Sequence, residues 1–394
     1  MHHRHPYYPH APTARGWLSA VLLLACTLTS TWCQAGALAG VVPAPSIDAK
    51  SYVLVDYRTG AVLAEKNADE RVEPASLTKI MTVYAASHAL KAGLIKLTDA
   101  VTISKKAWKM EGSRMFLEVG KTVSVDMLLN GIVIQSGNDA SVALAEHVSG
   151  SEEVFVGLMN KYATALAMTN TRFSDATGLP DPNNYTTARD MAKLSAALIR
   201  EFPEEYKRSS VKEFTFNGIR QHNRNRMLMR DASVDGLKTG HTESAGFCLI
   251  SSAVRDGMRV ISAVMGTASD DARTEASYAL LNYGYRFFET KQLYQAQQVV
   301  AQAQVWGGAS ETVALGSTQA VWATLPRGRF KDVKAVAQLD EPIMAPVAAG
   351  QVLGKMVLNL DDQAMTELPL AALVEVAEGS FFARLYDDVR LMLK

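Results

Sequence analysis

Near residue 290 the spacing of apolar residues changes, and no single packed layer serves both sides of that change. Before it, strand and helix patterns alternate. Ser51-Tyr52-Val53-Leu54-Val55-Asp56 reads as a strand, Tyr57-Arg58-Thr59-Gly60 as a turn, and Ala61-Val62-Leu63-Ala64 as the hairpin partner. Helical spacing follows, most clearly over residues 74–90 and 125–134. After Lys291 only short alternating runs remain, at residues 299–305, 333–339 and 355–360, and Asp361-Asp362 reads as a hairpin turn before residues 365–374. A chain of 394 residues, 48% hydrophobic, is long enough to bury two cores. The expected architecture is an α/β domain over residues 40–290, its central sheet covered by helices, then a small all-β sandwich domain over residues 291–378.

The N-terminus has the features of an export signal. Arg4 and Arg15 precede an apolar stretch at residues 17–28, and small residues follow in Gln34-Ala35-Gly36-Ala37-Leu38-Ala39-Gly40. That pattern sets the mature start between Leu38 and Gly40, so residues 1–39 are expected to be a signal peptide and the protein to be exported. Cys26 and Cys33 leave with that leader, as do His2, His3, His5 and His10. Cys248 then has no partner for an internal disulfide, and no paired ligand spacing suggests zinc, so neither metal nor cofactor is expected. Its apolar, strand-like surroundings make it an inert core thiol. Forty basic residues balance forty acidic ones, which argues against nucleic acid as a partner. No apolar run approaches the roughly 20 residues of a spanning helix.

Chemistry enters with three short motifs. In Ser76-Leu77-Thr78-Lys79, Pro74 stands where it can open a helix, and the helical pattern continues to Gly93. Three residues apart on a helix, Ser76 and Lys79 share a face. A serine hydroxyl needs an adjacent base to become a nucleophile, and Lys79 is the candidate if burial or a nearby cation keeps it neutral part of the time. Alone, the pair reads more readily as an exposed helix cap and a solvated lysine, and Ser209-Ser210-Val211-Lys212 matches the same spacing. Ser136-Gly137-Asn138 is good turn chemistry by itself. Lys238-Thr239-Gly240 reads as the approach to a buried strand over residues 247–254, its glycine letting another backbone come close. The order and separation of the three are what distinguish them. Together they form the set found in penicillin-binding proteins and class A β-lactamases, and the match at Ser209 has no Ser-x-Asn before Lys238.

With their surroundings, these residues closely resemble the low-molecular-mass penicillin-binding proteins that act as D-alanyl-D-alanine carboxypeptidases, the two-domain type with a C-terminal membrane anchor. The resemblance runs from about Val41 to the C-terminus. It includes Pro74-Ala75-Ser76-Leu77-Thr78-Lys79, Gln135-Ser136-Gly137-Asn138-Asp139-Ala140, Phe214-Thr215-Phe216-Asn217-Gly218 and Asp235-Gly236-Leu237-Lys238-Thr239-Gly240-His241-Thr242. It also takes in Ile261-Ser262-Ala263-Val264-Met265-Gly266 and Arg286-Phe287-Phe288-Glu289-Thr290. It implies a penicillin-binding/β-lactamase-like domain whose central sheet is antiparallel. It further implies that Ser76 is acylated while Lys79 takes its proton, that Ser136 relays a proton to the leaving amine, and that Asn138 holds Lys79 and a substrate amide. Lys238 would lower the pKa of Lys79, and the backbone N–H groups of Ser76 and His241, beyond Gly240, would form the oxyanion hole. Thr239 and Arg224 would bind the terminal carboxylate, with Arg226 as a rival for that task. The implied partners are peptidoglycan stem peptides ending in D-Ala-D-Ala and β-lactams as covalent inhibitors.

Class A β-lactamases use a glutamate to drive water onto the acyl-enzyme. The corresponding stretch here, Phe173-Ser174-Asp175-Ala176-Thr177-Gly178-Leu179-Pro180, has none, so antibiotic hydrolysis is expected to be slow. In residues 379–394 the apolar side chains Phe381, Phe382, Leu385, Tyr386, Val389, Met392 and Leu393 recur at helical spacing. They suggest an amphipathic helix lying in a membrane surface, which would hold the enzyme peripherally on the periplasmic side of the inner membrane. Packing of that helix on the β domain is the competing expectation. A DD-endopeptidase shares the same site, and a silent wall-binding scaffold would need the motifs to be relics.

Overall fold

The structure is a computed structural model that describes residues 42–393. The expected signal peptide lies outside the described residues. A five-stranded antiparallel sheet is built from β1 (Ser51–Asp56), β2 (Val62–Lys66), β3 (Val234–Thr242), β4 (Gly246–Arg255) and β5 (Met258–Thr267), in the order β2-β1-β5-β4-β3. Both of its faces are covered, which is why its strands read as nearly unbroken apolar runs. Along β1, Val53 and Val55 face one core while Tyr52 and Leu54 face the other. β5 repeats the alternation, with Ile261, Ala263 and Met265 on the first side and Val260 and Val264 on the second.

The first core is packed by α1 (Thr78–Lys91), α2 (Val125–Asn130), α3 (Asn138–Ser149), α4 (Glu152–Ala165) and α5 (Ala188–Glu201). α6 (Asp270–Phe287) covers the second face through Ala276, Leu280 and Leu281. Residues 78–87 of α1 are buried without interruption, so the helix carries no polar stripe and lies wholly inside the domain. It begins later than the sequence pattern suggests. Residues Ala75–Leu77 form a 3₁₀ turn that leads into it, and Ser76 stands in that turn. Likewise the helical spacing over residues 125–134 resolves into α2 and a following π turn, Gly131–Gln135, that ends at Ser136.

β6 (Phe288–Tyr294) runs straight out of α6, so a boundary drawn at residue 290 cuts a strand. The later strands are β7 (Ala301–Trp306), β8 (Thr312–Gly316), β9 (Val321–Pro326), β10 (Val333–Leu339), β11 (Ile343–Met344), β12 (Val352–Leu360) and β13 (Gln363–Ala372). β6 and β9 make a ribbon, and the others form a six-stranded sheet in the order β10-β12-β13-β8-β7-β11. Val305, Leu315, Val321, Met356 and Leu370 fill the core between them. Asp361 and Asp362 both have positive φ (51° and 61°), the backbone of a two-residue hairpin turn between β12 and β13. A chain of hydroxyls ties the two parts together. Thr290 Oγ1 donates to the buried Asp56 carboxylate at 2.7 Å, and Thr324 Oγ1 lies 2.6 Å from Thr59 Oγ1 and 2.9 Å from Thr290 Oγ1.

α7 (Phe381–Met392) closes the described chain. Its polar edge touches the β domain: Asp387 accepts from the Gly307 N–H at 2.9 Å, and the Arg390 guanidinium stands 5.7 Å from the Trp306 ring. Its apolar side chains stay exposed, Phe382 at 80% and Met392 at 87%. No helix among the described residues is long and apolar enough to cross a membrane.

Candidate active site

One cleft of about 730 Å³ is lined by Ser76, Ser136, Asn138, Arg224, Thr239 and His241, with Gly240 beside them. Lys79 and Lys238 stand buried behind it, their ammonium groups bonded to Ser76 and Ser136. All nine residues picked from the sequence therefore meet at one place. The alternative pair does not: Ser209 is buried in a 3₁₀ turn and Lys212 is exposed on the following loop.

Lys79 is held by three acceptors. Its Nζ donates to Ser76 Oγ at 3.0 Å, to Asn138 Oδ1 at 2.7 Å and to the Thr177 carbonyl at 2.6 Å. The side chain is fully buried, and burial brings its pKa down to about 7, with Asp175 opposing that shift and Arg224 adding to it. Near neutral pH Lys79 therefore has a substantial free-base fraction while hydrogen-bonded to a serine hydroxyl.

The Thr177 carbonyl reaches Lys79 because the loop lies against the turn that carries Ser76. Gly178 has φ +84°, and a Cβ there would stand 1.8 Å from the Ala75 carbonyl oxygen. Only glycine permits that approach. Asp175 shapes the loop: its Oδ1 accepts from the Thr177 N–H at 2.5 Å, Thr177 Oγ1 at 2.6 Å and the Gly178 N–H at 2.6 Å. Its other oxygen accepts from Asn184 Nδ2 at 3.4 Å. The carboxylate nearest in sequence to a lactamase glutamate is thus engaged in holding the loop.

Ser136 takes left-handed backbone (φ 68°) at the end of the π turn, and its Oγ accepts from Lys238 Nζ at 3.0 Å. Asn138 opens α3. Its Oδ1 faces Lys79, its Nδ2 donates to the Glu111 carbonyl at 2.6 Å, and its N–H donates to the Ser113 carbonyl at 2.7 Å. One amide hydrogen of Asn138 remains for a substrate carbonyl. Asp139, buried beside it, accepts from the N–H groups of Met115 and Leu117 at 2.8 and 3.1 Å, fastening this loop to the motif.

The Lys-Thr-Gly motif lies within β3, the outer strand of the sheet, rather than ahead of the strand that follows it. A Cβ on Gly240 would meet the Pro74 carbonyl oxygen at 3.1 Å, so this glycine lets the strand lie against the Ser76 turn. Burial and then Lys79, Arg224 and Arg273 push Lys238 itself well below the ordinary lysine range. The two buried ammonium groups disfavour each other's charge, so each holds the other's pKa down. The lasting positive field on Lys79 comes from Arg224.

The two arginine candidates separate clearly. Arg226 is paired with Asp270 at 3.2 Å and with Asp271. Both line the cleft, but Arg224 makes no ion pair among the described residues. The His241 ring lies on Phe247, centroids 3.9 Å apart. Cys248 is buried, and burial raises its thiol pKa to about 11.

Residues 39–269 match the family described as D-alanyl-D-alanine carboxypeptidase, and residues 288–378 match the penicillin-binding protein 5 C-terminal domain. The chain belongs to the D-alanyl-D-alanine carboxypeptidase family. It is 48% identical to D-alanyl-D-alanine carboxypeptidase DacC of Escherichia coli over 89% of this chain and 90% of that one. DacF of Bacillus subtilis is 38% identical over 85% of this chain and 87% of its own. Penicillin-binding protein 5 from Haemophilus influenzae superposes with a TM-score of 0.83 at 45% identity, covering 86% of this chain and all of that one. Membership makes the chain a hydrolase of the peptidase class and accounts for both its α/β domain and its β domain.

The hydrogen bonds of the site bring in residues that the motifs alone do not disclose. Thr177 contributes a main-chain carbonyl, for which side-chain patterns carry no signal. Glu111 and Ser113 act likewise, through carbonyls that fix Asn138. Asp139 adjoins Asn138 in sequence and could have been noticed as the carboxylate that closes the motif.

Proposed function

We propose that this protein is a serine-type D-alanyl-D-alanine carboxypeptidase that trims the terminal D-alanine from peptidoglycan stem peptides through an ester on Ser76. Ser76 Oγ bonds to the carbonyl carbon between the two D-alanines while its proton passes to Lys79 Nζ. The C–N bond then breaks, and a proton reaches the leaving amine through Ser136. Arg224 and Thr239 hold the terminal carboxylate, and the Ser76 and His241 N–H groups receive the oxyanion. Water hydrolyses the ester and frees Ser76.

The observation that carries this reading is the Lys79 ammonium group, 3.0 Å from Ser76 Oγ with a pKa near 7. Its test is the pH dependence of D-alanine release from a peptide ending in D-Ala-D-Ala. Protonated Lys79 cannot act as base, so kcat/KM falls below about pH 7 and levels off above it. A flat profile between pH 5 and 9, roughly the range over which a group of that pKa titrates, would remove Lys79 from the role.

With β-lactams the same attack gives an acyl-enzyme. Asp175 spends its oxygens on the loop, leaving no free carboxylate there to drive water onto the ester. Penicillin therefore remains attached for long periods.

Residues 1–39 act as a signal peptide, and residues 379–394 hold the enzyme to the periplasmic face of the inner membrane. The exposed apolar side of α7 supports this, because its contact with the β domain uses Asp387 and Arg390 and leaves Phe382, Leu385 and Met392 uncovered. Removing the chain from Ser380 onward is expected to shift most of the enzyme from the membrane to the soluble fraction, with peptide hydrolysis nearly unchanged. Phe382→Asp with Leu385→Asp reproduces that shift. If the truncated enzyme stays in the membrane fraction and only its melting temperature falls, α7 is a structural helix and not an anchor.

A further inference from the structure

Arg273, in the first turn of α6, is only 6% exposed although it carries a permanent charge. Its Nη1 donates to the Gly240 carbonyl at 3.0 Å and to the Cys248 carbonyl at 3.2 Å. Nε and Nη2 both reach Asp270 Oδ1, at 2.7 and 2.5 Å. Four of the five guanidinium N–H donors are thus taken by the two strands and Asp270, and although Arg273 also lines the cleft, Arg224, with no ion pair among the described residues, is the freer arginine for a substrate carboxylate. Burying a cation against carbonyls of an already paired sheet is costly, and the fold gains something local from it.

The Gly240 carbonyl and the His241 N–H belong to one planar peptide group. In extended backbone they point to opposite edges of the strand, and β3 pairs with β4 on one edge only. Arg273 bonds Gly240 on β3 and Cys248 on β4, so it pulls from the paired side. The N–H of the same peptide is directed to the other side, where β3 approaches the Ser76 turn and His241 lines the cleft. A charged donor on the oxygen withdraws electron density from the nitrogen and strengthens that N–H as a donor.

We propose that Arg273 is a positioning residue for the oxyanion site: it fixes and polarises the Gly240–His241 peptide so that the His241 N–H meets the oxygen of the carbonyl attacked by Ser76. This rests on the reading of Ser76 as the nucleophile. Asp270, shared by Arg273 and Arg226, holds the guanidinium in place and links it to the rim of the cleft.

The test uses the whole chain with Arg273→Met, Arg273→Gln and Arg273→Lys. Wild-type enzyme is first treated with a penicillin and the adduct located by mass; an adduct elsewhere than Ser76 overturns the nucleophile assignment itself. With the adduct on Ser76, the ester carbonyl band is followed by infrared difference spectroscopy, together with kcat and KM on a D-Ala-D-Ala peptide. Arg273→Met is expected to lower kcat by an amount on the order of 10²-fold, comparable to losing one oxyanion donor, with KM unchanged to within roughly a factor of three. The carbonyl band moves to higher frequency as its hydrogen bond weakens. Arg273→Lys restores part of both effects, and Arg273→Gln restores the frequency less than Lys because it lacks the charge. A kcat loss with the band unmoved means that Arg273 only supports the fold, and a raised KM at unchanged kcat means that it binds substrate. Either result overturns the proposal. Should Arg273→Met fail to fold, wild-type kcat and an unmoved band in folded Arg273→Gln overturn it equally.

Discussion

Ser76→Ala abolishes covalent labelling by a fluorescent penicillin, whereas Ser209→Ala leaves labelling intact. The expected loss is complete, because the alanine side chain has no oxygen with which to form the ester. Both serines open a Ser-x-x-Lys match, so sequence spacing does not divide them. Their surroundings do. Ser76 is half-buried and lines the cleft with Lys79 Nζ 3.0 Å from its Oγ, while Ser209 is buried, 3% exposed, and its Lys212 is exposed on the following loop. Ser76→Ala removes one acceptor from Lys79 and leaves two, Asn138 and Thr177, so the fold should be little disturbed. Melting temperatures within a few degrees of wild type are expected, since a ΔΔG of 1 kcal/mol moves Tm by roughly 2–4 °C in a domain of this size. An adduct found on any other serine in the Ser76→Ala protein would relocate the nucleophile.

Much of this arrangement was legible beforehand, for identifiable reasons. The β1–β2 hairpin and the turn at Asp361-Asp362 are local features, fixed by residues a few positions apart. The site residues could be found because acyl transfer needs particular side chains at particular spacings. Long-range pairing was not legible: β1 lies beside β5, with Val53 opposite Ala263, and nothing in either run names the other. The strand carrying Lys238 was also seen only from its far side. Asp235 makes its start look polar, yet that carboxylate is held by the Arg259 guanidinium at 2.7 Å and by the Tyr206 hydroxyl. Contributions made through main-chain carbonyls, as at Thr177 and Glu111, leave no trace in residue identity. Arg273 belongs with them, since its role depends on which peptide it touches.

Lys79→Arg and Lys238→Arg separate the two buried lysines. Arginine stays protonated throughout the accessible pH range, so at position 79 it cannot accept the Ser76 proton. Acylation by penicillin is then expected to fall by an amount on the order of 10³-fold, within the range that general-base catalysis supplies. A conserved charge does not rescue it. Arginine at 79 must also fit where three acceptors converge on one ammonium group, so Lys79→Gln serves as a smaller companion whose amide nitrogen is not basic and cannot take the Ser76 proton. Both should bind peptide while failing to acylate. Lys238→Arg faces a different demand. Its Nζ donates to Ser136 Oγ and to the Thr239 carbonyl, tasks that a guanidinium also performs. Measurable activity is therefore expected to survive. Because arginine there is permanently charged, it raises the positive field on Lys79 and lowers its pKa below about 7, moving the acid limb of kcat/KM to lower pH. The direction of that shift distinguishes this site from one in which Lys238 is the base: there, Lys238→Arg would be the inactive variant and Lys79→Arg the one with a displaced pH profile.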